Sequence, residues 1–375
     1  MQAVGQLPDS SSFLSLQGHK MQSLPLGSID EITPVWLTQV LRDGGHLTRG
    51  RVSEIQNRSL QSNWARNAVL RLSYSADARG EKPNKLFLKL CDPGPGVFGD
   101  SEIIYYSTVA AEISDPPIPR YYHSGYFKER GNYHLLLEDV SDTHAPDIKP
   151  TWALALNTVA SMAQLHAGWW NHPKLSLVGD FPDQVKIEKY VAYSEGGLAP
   201  MLDEIGSDIP QAWHSLIYKI FDSHHGKMVE RVGGGKDLTF IHGDLNPGNI
   251  LSPIGNKARI YLIDHQPFDW SLTIWLGVSD LAYWMVHWWD SEMRHLWERP
   301  LLEYYHQQLS LLGIHDYTFH QLWDDYRLCA MQSVYVAASW CVDPTERKAA
   351  KGLWSSQLRK TMAACIDLKC IELLQ

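Results

Sequence analysis

Basic side chains are in short supply: 33 Lys and Arg stand against 42 Asp and Glu, a formal net charge of −9. That balance argues against a nucleic-acid footprint and suits a neutral or cationic partner. Cysteine is scarce as well. The five present, Cys91, Cys329, Cys341, Cys365 and Cys370, are odd in number and show no Cys-x-x-Cys spacing, so reduced, buried thiols are expected rather than a disulfide framework. No long hydrophobic run occurs. The most apolar stretches, 153–170 and 273–289, are broken by Asn157, Gln164 and His166 and by Asp280 and His287, so neither reads as a membrane span. The first 26 residues lack the basic and apolar regions of a secretory signal. A cytoplasmic protein with no nucleic-acid or membrane partner is the expectation.

The 44% hydrophobic and 20% charged residues describe an ordinary globular chain, and 375 residues suggest two lobes with extensions. Residues 1–28 read as a loose lead-in. Thr33-Pro34 offers a helix cap followed by Pro at the first helical position, with a short helix expected through Leu41. Strand patterns follow at 51–60, 68–74 and 85–90, the last (KLFLKL) alternating around Lys89. Asp100 is placed to cap a helix over 101–113, and two further strands flank Gly131-Asn132, ending at Asp139. Beyond Pro150 the apolar spacing turns helical at 151–170, 210–232, 280–297, 301–312 and 319–340, interrupted by short strands over 238–266. The expected fold class is α+β: a strand-rich lobe over 29–140, a mostly helical lobe over 141–375, and the site in the cleft between them.

The strongest motif is Phe240-Ile-His-Gly-Asp-Leu-Asn-Pro-Gly-Asn249, which spaces His242, Asp244 and Asn249 as H-x-D-x-x-x-x-N. In a phosphotransfer loop of that spacing the Asp accepts the proton of the substrate hydroxyl and the Asn holds a magnesium ion. Fifteen residues on, the apolar strand Ile260-Tyr-Leu-Ile ends in Asp264, a carboxylate suited to the same hard cation. Upstream, Lys89 sits among apolar neighbours, where an ammonium needs an anion, and Glu102 lies on the next helix. A Lys–Glu pair of this kind directs the lysine to nucleotide phosphates. Each piece is weak alone; the ordered set is specific.

The segments FIHGDLNPGNIL and LIDHQ resemble the aminoglycoside phosphotransferase and choline kinase superfamily, in which HGD opens the loop. FLKL, SEIIYY, PPIPRYY, LLLEDV, LHAGWW and SDLAYW extend the likeness over about residues 30–345, most similar to the choline-kinase-like, ecdysteroid-kinase-like branch. The resemblance implies a bilobal protein-kinase-like fold and a small-molecule kinase that uses ATP, or GTP, with Mg²⁺ to phosphorylate an alcohol. It assigns Asp244 as base, Asn249 and Asp264 as metal ligands, Lys89 as phosphate contact and Glu102 as its partner.

Two departures keep other readings open. The turn expected over the phosphates, 59–68, has no glycine, so close backbone approach gives way to side-chain contacts from Ser62, Asn63 and Arg66, or the segment is an ordinary polar turn. His-Gln follows Asp264 where a protein kinase has Phe-Gly. A nucleotide-binding pseudokinase without turnover and an antibiotic-inactivating phosphotransferase both remain as alternatives. His242 is expected to hold the loop, and Asp280 either braces it or caps a helix. The 15 Trp divide between core and a substrate pocket, for which Trp270, Trp284, Trp288 and Asp269 are the candidates to hold a neutral or cationic acceptor. Glu195, Asp203, Glu204 and Asp208 either line the acceptor side or, the favoured reading, form a solvated loop.

Overall fold

The computed structural model describes residues 26–60, 65–94, 96–146, 149–255 and 259–375; the sequence-expected lead-in therefore falls almost wholly outside them. Helix α1 (Pro34–Asp43) starts where Thr33 accepts the Trp36 amide and Pro34 takes the first turn. Strand β1 (Leu47–Arg49) pairs with the short β4 (Arg79–Gly80), and a separate five-stranded antiparallel sheet runs β2-β3-β5-β7-β6. Its members are β2 (Val52–Leu60), β3 (Ala65–Tyr74), β5 (Lys85–Cys91), β6 (Tyr121–Phe127) and β7 (Asn132–Glu138). The period of two in β5 sorts its side chains. Leu86, Leu88 and Leu90 pack with α1 in one apolar cluster, while Lys89 and Cys91 face the other way, opposite Leu135 and Tyr133 of β7. The helical run after Asp100 is α2 (Ser101–Ile104), a π-helical turn over Tyr105–Val109 and a 3₁₀ turn over Ala110–Glu112.

The helical lobe holds α3 (Trp152–Trp169), α4 (Gln184–Ile205), α5 (Gln211–Lys219), α6 (His225–Val232), α7 (Val278–Ala282), α8 (Ser291–Leu311), α9 (Phe319–Ser339), α10 (Pro344–Ala349) and α11 (Lys351–Asp367). Buried α9 is the centre, with α4 and α11 packed on it and α3 packed on α8. Short strands carry the polar loops between them. Strand β10 (Ile250–Pro253) lies between β8 (His144–Pro146) and β11 (Tyr261–Leu262), and β9 (Thr239–Phe240) pairs with β12 (Ile274–Trp275). This is the α+β, strand-rich-then-helical layout expected of a kinase-like chain.

Three helix expectations need correction. The two helices read at 280–297 and 301–312 are divided elsewhere: the chain turns extended at Trp289, Asp290 caps a new start by accepting the Met293 amide, and α8 runs through Pro300. Packing of its buried residues offsets the hydrogen bond that Pro300 removes. The single helix read at 210–232 contains a π-helical turn at Ile220–His224. The segment read as a loop around 195–208 is mostly helix: α4 has Gly196, Gly197 and Pro200 inside it, and its buried Ile187, Val191, Ser194, Gly197, Met201 and Ile205 line one face. Glycine is required at only one of the pair. A Cβ on Gly197 would lie 1.9 Å from the Ala338 carbonyl oxygen of α9, whereas one on Gly196 would meet only a Val342 methyl at 3.9 Å.

Gly197→Ala should therefore force α4 off α9 and lower stability by about 3 kcal/mol or more, at the severe end of overpacking. Gly196→Ala should be neutral or stabilising by up to about 1 kcal/mol, its helix propensity being better than glycine's. Urea unfolding of the two variants checks this; equal behaviour would remove the close helix crossing as the reason for the glycine.

Candidate functional site

The loop after β9 is held from behind by one carboxylate. Asp280 lies in the first turn of α7, two residues past its start, so the cap position falls to Gly277. Its Oδ2 accepts the His242 amide at 2.7 Å and its Oδ1 the Gly243 amide at 2.8 Å. The His166 ring supports it through Nε2 at 3.0 Å while Nδ1 meets the Tyr305 hydroxyl at 2.7 Å. His166 is thus a core histidine satisfied at both ring nitrogens. Burial would raise the Asp280 carboxyl, but His166 and the loop amides hold it below its usual range. Gly243 has φ +76°, and a Cβ there would come within 2.8 Å of Gln266, so this turn needs glycine. The buried His242 ring reaches the Ile263 carbonyl at 2.9 Å, and burial lowers its pKa below the ordinary imidazole value; it holds the loop, as expected.

Asp244 points into the cleft. Its Oδ1 accepts from Asn246 at 3.1 Å and its Oδ2 from Asn249 at 3.0 Å. The Tyr283 hydroxyl, on the π-helical turn that follows α7, is a third partner. Burial raises the Asp244 carboxyl above its ordinary value in spite of these donors. The Asn249 amide also donates to the Asp244 carbonyl at 2.9 Å, which leaves its side-chain oxygen as the group that can accept a cation.

Asp264 follows β11 with a left-handed backbone, φ +58°, a region that aspartate enters more readily than most non-glycine residues. Lys89 meets its carboxylate. Its Nζ is 2.8 Å from Asp264 Oδ1 and 2.7 and 3.0 Å from the two Glu102 oxygens, and the Tyr133 hydroxyl also donates to Glu102. Burial alone would lower the lysine pKa, but the two carboxylates carry it above its ordinary value. Burial raises Glu102 against the attraction of Lys89; Asp264, whose side chain is half exposed, pays some desolvation but is held below its usual range by the Lys89 ammonium. Lys89, Asp244 and Asp264 line one cavity of about 750 Å³.

The other sequence candidates divide. Ser62 and Asn63 lie outside the described residues. Arg66 points its guanidinium to the Gly27 carbonyl at 2.8 Å, away from the cavity, while its neighbour Asn67 lines it. Trp270 and Trp288 line the cavity. Trp284 does not: it is 1% exposed and packs edge-to-face on Trp289, a core residue because its face of the turn meets the lobe interior. Asp269 is also corrected. It sits on the surface, paired with Lys189 at 2.8 Å. Glu204 pairs with Lys351 at 2.6 Å, and neither it nor Glu195, Asp203 or Asp208 reaches the cavity. Reading the sequence missed Tyr133, Tyr190, Tyr193, Tyr283 and Trp340, which do line it; Tyr283, three residues past Asp280 in SDLAYW, was the one with a nearby signal.

A strand-rich lobe over a helical lobe, with a lysine–glutamate pair facing a His-Gly-Asp loop and a following aspartate, is the kinase-like class. The ecdysteroid kinase-like family matches residues 116–313, more than half of the chain, and the chain belongs to that family. No curated protein matches the sequence significantly. Among solved structures, choline kinase from Cryptosporidium parvum Iowa II superposes with a TM-score of 0.56 at 13% identity, covering 90% of this chain and 98% of its own. Spectinomycin phosphotransferase APH(9)-Ia, in complex with ADP and spectinomycin, gives 0.51 at 11%, covering 91% and 99%. At these identities the likeness is one of fold.

Asp280→Asn should leave one loop amide facing an NH₂ group, an unmet buried donor that costs about 1–3 kcal/mol. Chemical unfolding measures it, and wild-type stability in the variant would remove the brace.

Proposed function

We propose that the protein is a small-molecule kinase that transfers the γ-phosphate of ATP, or GTP, to the hydroxyl of a small alcohol, with magnesium. The observation that carries this reading is the convergence of the Lys89–Glu102 pair, Asp264 and the Asp244–Asn249 loop on one cavity. In this reading Asp244 takes the proton from the acceptor hydroxyl. That oxygen then bonds to the γ-phosphorus as the bond to the β-γ bridging oxygen breaks and the nucleoside diphosphate leaves. Lys89 offers its ammonium to the phosphates, with Glu102 and Tyr133 fixing its direction.

Magnesium fits the donor set. Asp264 and the Asn249 amide oxygen are hard oxygen donors, and among the described residues no three His, Cys, Asp or Glu converge as a complete cage, which matches an ion that also takes phosphate oxygens and water. Bound there, it would offset charge on the transferring phosphoryl group. Acceptor charge follows from the lining. Among the described residues, Lys89, engaged by two carboxylates, is the single Lys or Arg that lines the cavity, alongside Tyr190, Tyr193, Trp270, Trp288 and Glu346. A neutral or cationic, partly apolar alcohol is favoured over an anion.

Single-turnover transfer from labelled ATP to matched neutral, cationic and anionic alcohols tests this. Transfer to neutral or cationic members is expected; Mg-ATP binding with no transfer would identify a pseudokinase, and preference for carboxylated or phosphorylated acceptors would overturn the charge assignment. Within the same assay, Asp244→Asn should retain nucleotide affinity while turnover falls about 10²- to 10⁴-fold, the span of a general base. Asp264→Ala should instead lose magnesium-dependent nucleotide binding. Turnover retained by either variant refutes the role given to that residue.

A further inference from the structure

The His-Gln pair that follows Asp264, one of the departures in the sequence, has no part in phosphoryl transfer as derived above. His265 is 1% exposed, and its ring Nε2 donates to the Ile241 carbonyl at 3.1 Å. That carbonyl shares a peptide group with the His242 amide, which Asp280 holds from the other side at 2.7 Å. One peptide is thus gripped at both of its polar ends. In return His242 Nε2 donates to the Ile263 carbonyl at 2.9 Å, while its Nδ1 accepts the Asp244 amide at 3.4 Å. The two segments exchange imidazoles: the ring next to Asp264 bonds the backbone leading to Asp244, and the ring leading to Asp244 bonds the backbone next to Asp264.

Backbone bonds run beside the exchange. The Ile263 amide donates to the Asn249 carbonyl at 3.0 Å and the Gln266 amide to the His242 carbonyl at 3.2 Å. Packing fixes the rings. His265 stacks on Phe240 with centroids 4.8 Å apart and on Tyr105 at 5.2 Å, and Tyr105 meets His242 edge-on at 5.6 Å. Tyr105 itself opens the π-helical turn that continues the Glu102 helix, so the column of rings touches all three segments that carry the site. A phenylalanine at position 265 would keep the stack and remove the donor. We propose that His265 is a positioning residue for phosphoryl transfer: its hydrogen bond, with the reciprocal one from His242, fixes Asp264 relative to Asp244 and Asn249 and so sets the spacing between the metal ligands and the base. Its catalytic consequence rests on the roles proposed for those three residues; the clasp itself is a matter of backbone geometry.

The test reads the clasp and its consequence separately. Amide hydrogen exchange on the nucleotide-free protein compares wild type with His265→Phe, which keeps an aromatic ring, and with His265→Gln, which keeps a side-chain N–H donor of similar reach. His265→Phe should speed exchange about 10-fold or more in peptides covering 241–249 and 262–267, the worth of one buried hydrogen bond, and leave α9 and α11 at the wild-type rate. His265→Gln should restore much of the protection. Magnesium-dependent ADP affinity, measured by calorimetry, should fall about 10-fold or more in His265→Phe, the usual effect of losing a group that orients a metal ligand, with ADP affinity in EDTA unchanged and partial recovery in His265→Gln. If phenylalanine prevents folding, His265→Leu carries the same comparison against glutamine. Unchanged exchange, acceleration spread evenly through the fold, or a loss that glutamine does not reduce overturns the proposal. ADP affinity indifferent to magnesium in wild type, with local acceleration in His265→Phe, would support the clasp and sink the reading of Asp264 as a metal ligand. Magnesium-dependent binding that His265→Phe retains in full would overturn the positioning role and leave that reading intact.

Discussion

One buried carboxylate sets the geometry on which the site depends. Asp280 presents each of its oxygens to a loop amide, His242 and Gly243, and is itself fixed by His166 of α3 and, through that ring, by Tyr305 of α8. A backbone held at two consecutive amides has little freedom left. The residues just beyond, Asp244 and Asn249, inherit their direction from that grip. The same short helix then widens into the π-helical turn Tyr283–Trp288, so the element that holds the loop from behind also delivers Tyr283 to Asp244 and Trp288 to the cavity. π-Helical turns concentrate at functional sites because they rotate side chains off the regular helical register.

The second constraint joins the lobes. Lys89 and Glu102 belong to the sheet lobe and Asp264 to the helical lobe, and removing one partner of such a buried set leaves an uncompensated charge behind. Backbone contacts run beside it: the Gly99 amide donates to the Pro267 carbonyl at 2.8 Å, the Ser101 hydroxyl to the Gln266 carbonyl at 2.8 Å, and Phe98 meets Phe268 edge-to-face. The chain just after Asp264 is thereby tied to the chain just before α2. The positions of Asp264 and of the Glu102 helix are coupled through these contacts.

The aromatic excess resolves into two populations with different physics. Trp169, Trp284 and Trp354 are fully buried and fill the helical lobe as large apolar volumes. Trp270, Trp288 and Trp340 face the cavity, and Trp270 lies against both Tyr193 and Phe268 in a stack. That stack is anchored by charge at the protein surface, where Lys186 donates to the Asp269 carbonyl and Lys189 pairs with its carboxylate. Asp269 therefore supports the aromatic residues beside it and does not present its carboxylate to the cavity.

Local chemistry was legible in the sequence wherever residues a few positions apart decide the outcome. The Thr33-Pro34 helix start, the alternation that sets Lys89 apart from Leu88 and Leu90, the H-x-D-x-x-x-x-N spacing and the apolar strand ending at Asp264 are all of this kind, and they were enough for the α+β class and for the family. Tertiary structure alone decided what depends on partners distant in the chain. Gly197 is tolerated inside α4 because α9 approaches too closely for a side chain, 141 positions away at Ala338. Asp280 braces the loop and does not cap a helix because the amides of residues 242 and 243 are folded back onto it. Trp284 went to the core and Trp288 to the cavity although they sit one helical turn apart, a division that no local spacing distinguishes.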